Sequence, residues 1–218
     1  MAALAGIIGA GALSASFTIL PKPPAFGASA AQLNHYGSQH HDLLLIAAWL
    51  EGIGTLLYVV FVLAIVHLAG ANDRFAGKIT TLAATVVLGV SLFYDVCLIA
   101  LAQSSATGGA QSMTGPVAYG LFAAAEHVFL IAPSLFLPLG FVVLAADVLP
   151  PAFGYLALGF GISAEVLGLV GLFTASANNG GTGGAAINVL VGVQALWIIA
   201  AGAIVLARAW APRSRNAP

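Results

Sequence analysis

The chain has 218 residues, 61% of them hydrophobic and only 6% charged, with a formal net charge of −1. A soluble domain carries about 25% charged residues, so this composition, with a mean hydropathy of +1.04, excludes a soluble globular protein and a basic nucleic-acid face. Cys97 is the only cysteine, which excludes an intramolecular disulfide and a thiolate cluster; it reads as a small buried apolar residue.

A helix that crosses a bilayer needs about 20 apolar residues. The runs that qualify are Ala2–Leu20, Leu43–Ala69, Ile79–Ala102, Val117–Ala146, Phe153–Ala175 and Ala186–Ala209. The first lacks a positively charged lead-in and reads as a retained span, not a cleaved signal. Pro21, Pro23 and Pro24 end it, and a long outer loop follows. Asn72, Asp73 and Gly77 mark the next turn, Ser104–Gly115 a Gly/Ser/Thr loop, Pro150 and Pro151 a tight connection, and Asn178–Gly184 a second Gly-rich loop. In the fourth run Pro133 and Pro138 each remove a backbone hydrogen bond and favour a kink. In the fifth, Gly154, Gly161 and Gly168 recur on one face, where they permit close helix approach, and Glu165 shares that face. The expected architecture is all-α: one polytopic bundle of six transmembrane helices over residues 1–218.

Orientation follows from Lys and Arg. Six spans put Arg74, Lys78, Arg208, Arg213 and Arg215 on one side and only Lys22 on the other. The expected location is the plasma membrane with both termini cytoplasmic, and Trp210 is an interfacial anchor at that side.

Glu51, Asp95, Glu126 and Glu165 interrupt these runs, with His127 beside the third. Counted from the outer end of its span, each acid lies about seven to ten residues in, roughly 10–15 Å below the boundary at the helical rise. A carboxylate in hydrocarbon costs on the order of 2.5–3.5 kcal/mol on insertion scales, so four at one depth read as a site. Ser14, Ser16, Thr18, Thr55, Tyr58, Ser91, Asn188 and Gln194 share the outer half. The inner half holds little beyond Thr80, Thr81, Thr85, Ser134, Tyr155 and His67. That asymmetry favours a pocket opening outward, or sideways into the outer leaflet, over a path through the membrane.

No Lys or Arg lies at that depth, so the carboxylates must carry protons or share a cation. A neutral buried acid is a proton donor. Glu126 and Asp95 are the expected donor and partner, His127 the base or orienting group, and Glu51 and Glu165 complete the set. A carboxylate/His cage suits Mn, Fe or Zn, but the Glu-x-x-His spacing of di-iron bundles is absent, so the cofactor is either none or a divalent metal. Trp49, Tyr58, Phe93, Tyr94, Phe122 and Phe129 stand near the same level and are candidates for substrate contact. The bland alternatives are helix-bridging carboxyls, a packed His127 and ordinary lipid-facing aromatics. His35, His40 and His41, with Tyr36 and Asp42, form either a surface metal site or mouth, or a polar helix start with Asp42 near the N-cap. Phosphate-loop, nucleophile-elbow, His-Glu-x-x-His and Asp-rich prenyl-diphosphate motifs are absent, as is a matched His pair for haem.

The segment Asp147-Val148-Leu149-Pro150-Pro151-Ala152-Phe153-Gly154 resembles the Leu-Pro-x-x-x-Gly opening of the fifth span in uncharacterised six-helix actinobacterial membrane proteins, the domain of unknown function numbered 4386. That resemblance, with the apolar first span and Pro-rich outer loop, covers most of the chain and implies a six-helix fold without an activity. Ala48-Trp49-Leu50-Glu51 is loosely similar to the acidic helix motif of small membrane-bound terpene cyclases, which protonate an isoprenoid with intramembrane acids and usually have seven spans. The expected function is a membrane-embedded acid/base enzyme acting on an apolar or isoprenoid-like substrate. The alternatives are a proton- or cation-coupled transporter or metal-binding membrane protein, and a non-catalytic assembly or sensor subunit. The expected partners are the lipid bilayer and an apolar small molecule or lipid, with no nucleic acid; the oligomeric state stays open.

Overall fold

A computed structural model describes residues 1–24, 28–108, 112–131, 135–174 and 182–210; within its helices the side chains of 126–131, 168, 170–174, 182–188 and 190–191 fall outside the description. The described residues form helices α1 (Ala2–Ile19), α2 (Ala30–Gln39), α3 (His41–Leu68), α4 (Phe75–Thr107), α5 (Thr114–Ile131), α6 (Phe136–Leu144), α7 (Pro151–Thr174) and α8 (Thr182–Trp210), with no strand among them. The fold is all-α. Four stretches are long and apolar enough to cross a membrane: α1, α3, α4 and Gly192–Trp210 of α8; Pro151–Leu167 is a shorter apolar stretch.

The expected run Val117–Ala146 is divided between α5 and α6. Pro138 falls in the first turn of α6, where a missing N–H leaves no helical bond unmade; Pro133 lies outside the described residues. The segment between α1 and α3 holds a helix that apolar runs do not reveal. Its start is a capping box: Ser29 Oγ accepts from Gln32 N–H at 3.3 Å, and Gln32 Oε1 accepts from Ser29 N–H at 2.9 Å.

Small residues set the closest crossings. A Cβ on Gly9 would lie 2.8 Å from Gly54 O, and one on Gly54 would lie 3.1 Å from Gly9 O, so α1 and α3 meet backbone to backbone. Gly140 and Gly154 do the same for α6 and α7, at 2.9 and 3.1 Å. Ser16 Oγ donates to Ala47 O at 2.8 Å and adds a polar tie between α1 and α3. The α3–α4 turn closes as a Schellman motif, with Gly70 at φ +58°. Gly70 N–H donates to His67 O at 2.9 Å and Ala71 N–H to Val66 O at 3.0 Å.

These contacts order the bundle end to end. One end, the basic end, carries Arg74, Lys78 and Arg208; Gly202 meets Ala3 there. Arg208 donates to the carbonyls of Asp147 and Val148 after α6. At the other end α2 packs across α4 and α5. Among the described residues two large apolar cores result, with a small third cluster at Val66, Ala71 and Val142. The basic-end core includes Tyr58, Val62, Ile65, Val87, Leu139, Val143 and Trp197. The α2-end core includes Leu33, Tyr36, Leu44, Tyr94, Leu98, Leu101 and Phe122.

Gly54→Leu must force α1 and α3 apart, and overpacking of this kind costs about 1–3 kcal/mol. The expected result is a lower thermal midpoint in detergent, while Gly11→Ala, whose Cβ meets nothing within 4 Å, leaves it unchanged. Equal midpoints for the two variants would refute the Gly9–Gly54 crossing.

Candidate functional site

On α3, Glu51 and Thr55 are one turn apart; on α4, so are Ser91 and Asp95. The helices run antiparallel through the Gly70 turn, so the two pairs face each other across one seam. Glu51 is 2% exposed and Asp95 6%, and Thr55 and Ser91 are buried with them. Ser91 Oγ lies 3.1 Å from Glu51 Oε1 and 2.9 Å from Thr55 Oγ1, bonding α4 to both α3 side chains. Asp95 meets α3 differently. A Cβ on Gly52 would fall 2.7 Å from Asp95 Oδ2, so this carboxyl rests against bare helix backbone, and its Oδ1 is buried without a hydrogen-bond partner.

Along both helices this polar layer separates the two cores. On α3, Leu44 and Ala48 belong to the α2-end core and Tyr58 to the basic-end core; on α4, Val87 precedes the layer and Leu98 follows it. Tyr58 is itself 1% exposed, and the Gln194 side chain interacts with its hydroxyl. Tyr94 and Phe122 stack in the α2-end core, with ring centroids 4.6 Å apart. Trp49 and Phe93 instead lie on exposed faces. Glu165 is half-buried on α7 and is not without a partner; four residues before it, Gly161 packs on Leu137. Glu126, His127 and Phe129 are on α5 after Phe122, and their side chains lie outside the described residues, as do those of Asn188 and Gly168. The structure thus places Glu51 and Asp95 along one α3–α4 seam.

The α2 end is not an open mouth. Tyr36 Oη donates to Pro21 O at 2.8 Å, Tyr119 Oη to Pro24 O at 2.6 Å and Asn34 Nδ2 to Ser112 O at 2.8 Å, pinning α2 and the chain before it over the core. His35 is exposed on α2, His40 stacks on Tyr36, and His41 Nδ1 sits 2.8 Å from Asp42 Oδ1 in the first turn of α3. Among the described residues no group of three His, Cys, Asp or Glu side chains could hold a metal. The side chains that do meet, the Glu51 carboxyl and the Ser91 and Thr55 hydroxyls, offer only oxygen, as does Asp95 beside Gly52. They suit a proton or a hard cation, not a thiolate- or imidazole-seeking metal.

Gly52 is the residue that sequence reasoning missed. Its signal was available: a glycine directly after an intramembrane Glu, in the middle of a span where Gly costs helix stability without a local reason.

Ser91→Ala and Thr55→Val each remove one side of the hydroxyl contact, and interhelical bonds of this type contribute on the order of 1 kcal/mol. A double-mutant cycle on detergent unfolding is expected to show coupling of that order. Strict additivity would show that the two hydroxyls do not act together.

Compared with family models, with curated proteins and with solved structures, the chain matches none.

Proposed function

We propose that this chain is a membrane-embedded acid/base enzyme acting on an apolar, isoprenoid-like substrate, with Asp95 as proton donor and the Glu51–Ser91–Thr55 group as its polar support. The carrying observation is the burial of two carboxyls along one α3–α4 seam, between two apolar cores, with every described Lys and Arg at a helix end: Lys22, Arg74, Lys78 and Arg208. An acid so placed gives up a proton only to something brought to it in the hydrocarbon layer. Glu126 and His127, on α5 beyond Phe122, are proposed as the second carboxyl and the orienting base.

A coupled carrier draws less support. Among the described residues the basic-end half of the seam is filled by Val62, Ile65, Leu139 and Val143, and His67 is exposed at the far end, 3.2 Å from the Asn72 side chain. No described polar side chain links the carboxyl layer to His67.

The proposal includes six crossings of the plasma membrane, with α5 and α6 together making the fourth, and a cytoplasmic basic end. The gathering of Arg74, Lys78 and Arg208 at one end supports that orientation. Reporter fusions after Arg74 and after Ser105 should then report opposite sides, with Arg74 inside. An external Arg74 overturns the orientation.

The catalytic test uses proteoliposomes supplied with linear isoprenoids, and mass spectrometry for a cyclised or isomerised product. Asp95→Asn and Glu51→Gln keep side-chain shape and remove the exchangeable carboxyl. They are expected to insert normally and to lose about 10²–10⁴-fold in rate, the range for a positioned acid or base. Full activity in Asp95→Asn, or no product from the unaltered protein with any isoprenoid, would end this reading. If both amide variants fail to fold, the carboxyls bridge helices and do no chemistry.

A further inference from the structure

We propose that Asp95 is reached from the bilayer itself, through a notch in the α3–α4 wall at Gly52, by an alkyl or isoprenoid molecule that carries a hydrogen-bond acceptor. This rests on the acid/base reading above and adds the route and the kind of molecule.

Two facing rows make the notch. On α3, Trp49, Gly52 and Leu56 follow one another along a single helix face, and Trp49 and Leu56 are exposed, at 69% and 44%. On α4, Leu92, Asp95 and Ile99 form the opposing row, with Leu92 and Ile99 exposed. Asp95 therefore sits at the border between the packed and the outward faces of α4. At the centre of this rim the wall has no side chain. The atoms nearest to where a Gly52 Cβ would be are Asp95 Oδ2 at 2.7 Å and Leu92 Cδ2 at 4.0 Å. The Asp95 Oδ2 oxygen thus lies in the space that glycine leaves, at this rim and not behind a side chain of position 52.

A second observation points to a ligand. Asp95 is 6% exposed, yet its Oδ1 has no hydrogen-bond partner. Such a group is costly in hydrocarbon, and a molecule presenting a polar atom at the notch relieves the cost. The surroundings set the rest of that molecule. Trp49, Leu56, Leu92 and Ile99 offer only apolar contact and the indole N–H. Among the described residues, α2 and its tyrosine ties cover one end of the bundle and the basic-end core fills the other. A molecule arriving across the rim is one soluble in the leaflet.

Dicyclohexylcarbodiimide is an apolar probe with the required chemistry. One of its nitrogens takes the proton of a carboxylic acid and the carboxylate oxygen bonds to its central carbon; the O-acylisourea rearranges to a stable N-acylurea with no other reactant. In proteoliposomes it is expected to label Asp95, read by peptide mass spectrometry, while a membrane-impermeant quaternary-ammonium carbodiimide on either side is not. Leu92→Trp and Leu56→Trp fill the rim from the lipid side without entering the core. Each is expected to slow labelling by about tenfold or more, since small misplacements of reacting groups cost that much, with the melting temperature unchanged. Gly52→Ala is expected to do the same; should it fail to fold, the rim variants carry the test. Labelling of Asp95 by the impermeant reagent at the same rate, or a rate indifferent to Leu92→Trp, overturns the portal. Labelling as expected in a protein that converts no isoprenoid leaves the portal standing and removes the catalytic reading, so the two failures are distinct.

Discussion

A carboxyl group in hydrocarbon must be satisfied by neighbours or keep its proton, and the α3–α4 seam is arranged around that constraint. Glu51 takes the first course. Ser91 stands in contact with it and with Thr55, so one of its oxygens is met by a hydroxyl that would otherwise need a carbonyl partner of its own. The layer they form is thin, about one helical turn, because each polar side chain added at that depth carries its own desolvation cost. The apolar cores on either side keep it thin. Val87 and Tyr58 close it toward the basic end, and Tyr94, Leu98 and Phe122 toward α2.

Register is what makes the meeting possible. A slip of one residue rotates a helix by about 100° and would turn Glu51 or Asp95 toward lipid. Two backbone features hold the register of α3, beside the Ser16–Ala47 tie. The Gly9–Gly54 contact fixes its height against α1, and the Gly70 turn fixes its exit into α4. Lipid supplies no hydrophobic push between helices, so backbone contact at glycine is the means by which these spans find one depth. The α2 strap acts at the opposite end. With Asn34 on Ser112 and the Tyr36 and Tyr119 hydroxyls on proline carbonyls, it ties together the ends of α1, α4 and α5 that lie away from the basic end.

Much of the helical plan was legible because the bilayer demands long apolar runs. The expected Ala2–Leu20 and Leu43–Ala69 match α1 and α3 to within a residue or two. The fourth run was harder. Hydropathy is continuous across Val117–Ala146, and only backbone chemistry at proline marks a place where one run becomes two helices. The short amphipathic α2 was missed for the converse reason: it is too polar and too short to register as a span, and its evidence is the local Ser29–Gln32 box. For the site, composition located the acids in depth but not in azimuth. It placed Thr55 beside Glu51 and Ser91 beside Asp95, since i and i+4 share a face. It could not say that the two faces meet, because that depends on a crossing set by Gly9 and Gly54. The same gap explains Trp49 and Phe93, which stand at the carboxyl level yet lie on exposed faces.

The two carboxyls of the seam are not equivalent, and the difference has a structural origin. Glu51 is reached by the Ser91 hydroxyl across the seam. Asp95, one turn from Ser91, is turned toward a position where α3 has no side chain. Any residue other than glycine at position 52 would push that carboxyl aside or cover it. A purely structural acid would gain nothing from such an arrangement, since a Ser or Thr at position 52 would offer it a hydrogen bond where glycine offers none. Glu51, next to Gly52 on α3, has one carboxyl oxygen tied to Ser91 across the seam, whereas Asp95 rests against glycine with no such tie. Mid-helix glycine and an unpaired buried acid each weaken the bundle; found together, each removes the steric or chemical obstacle to the other's use.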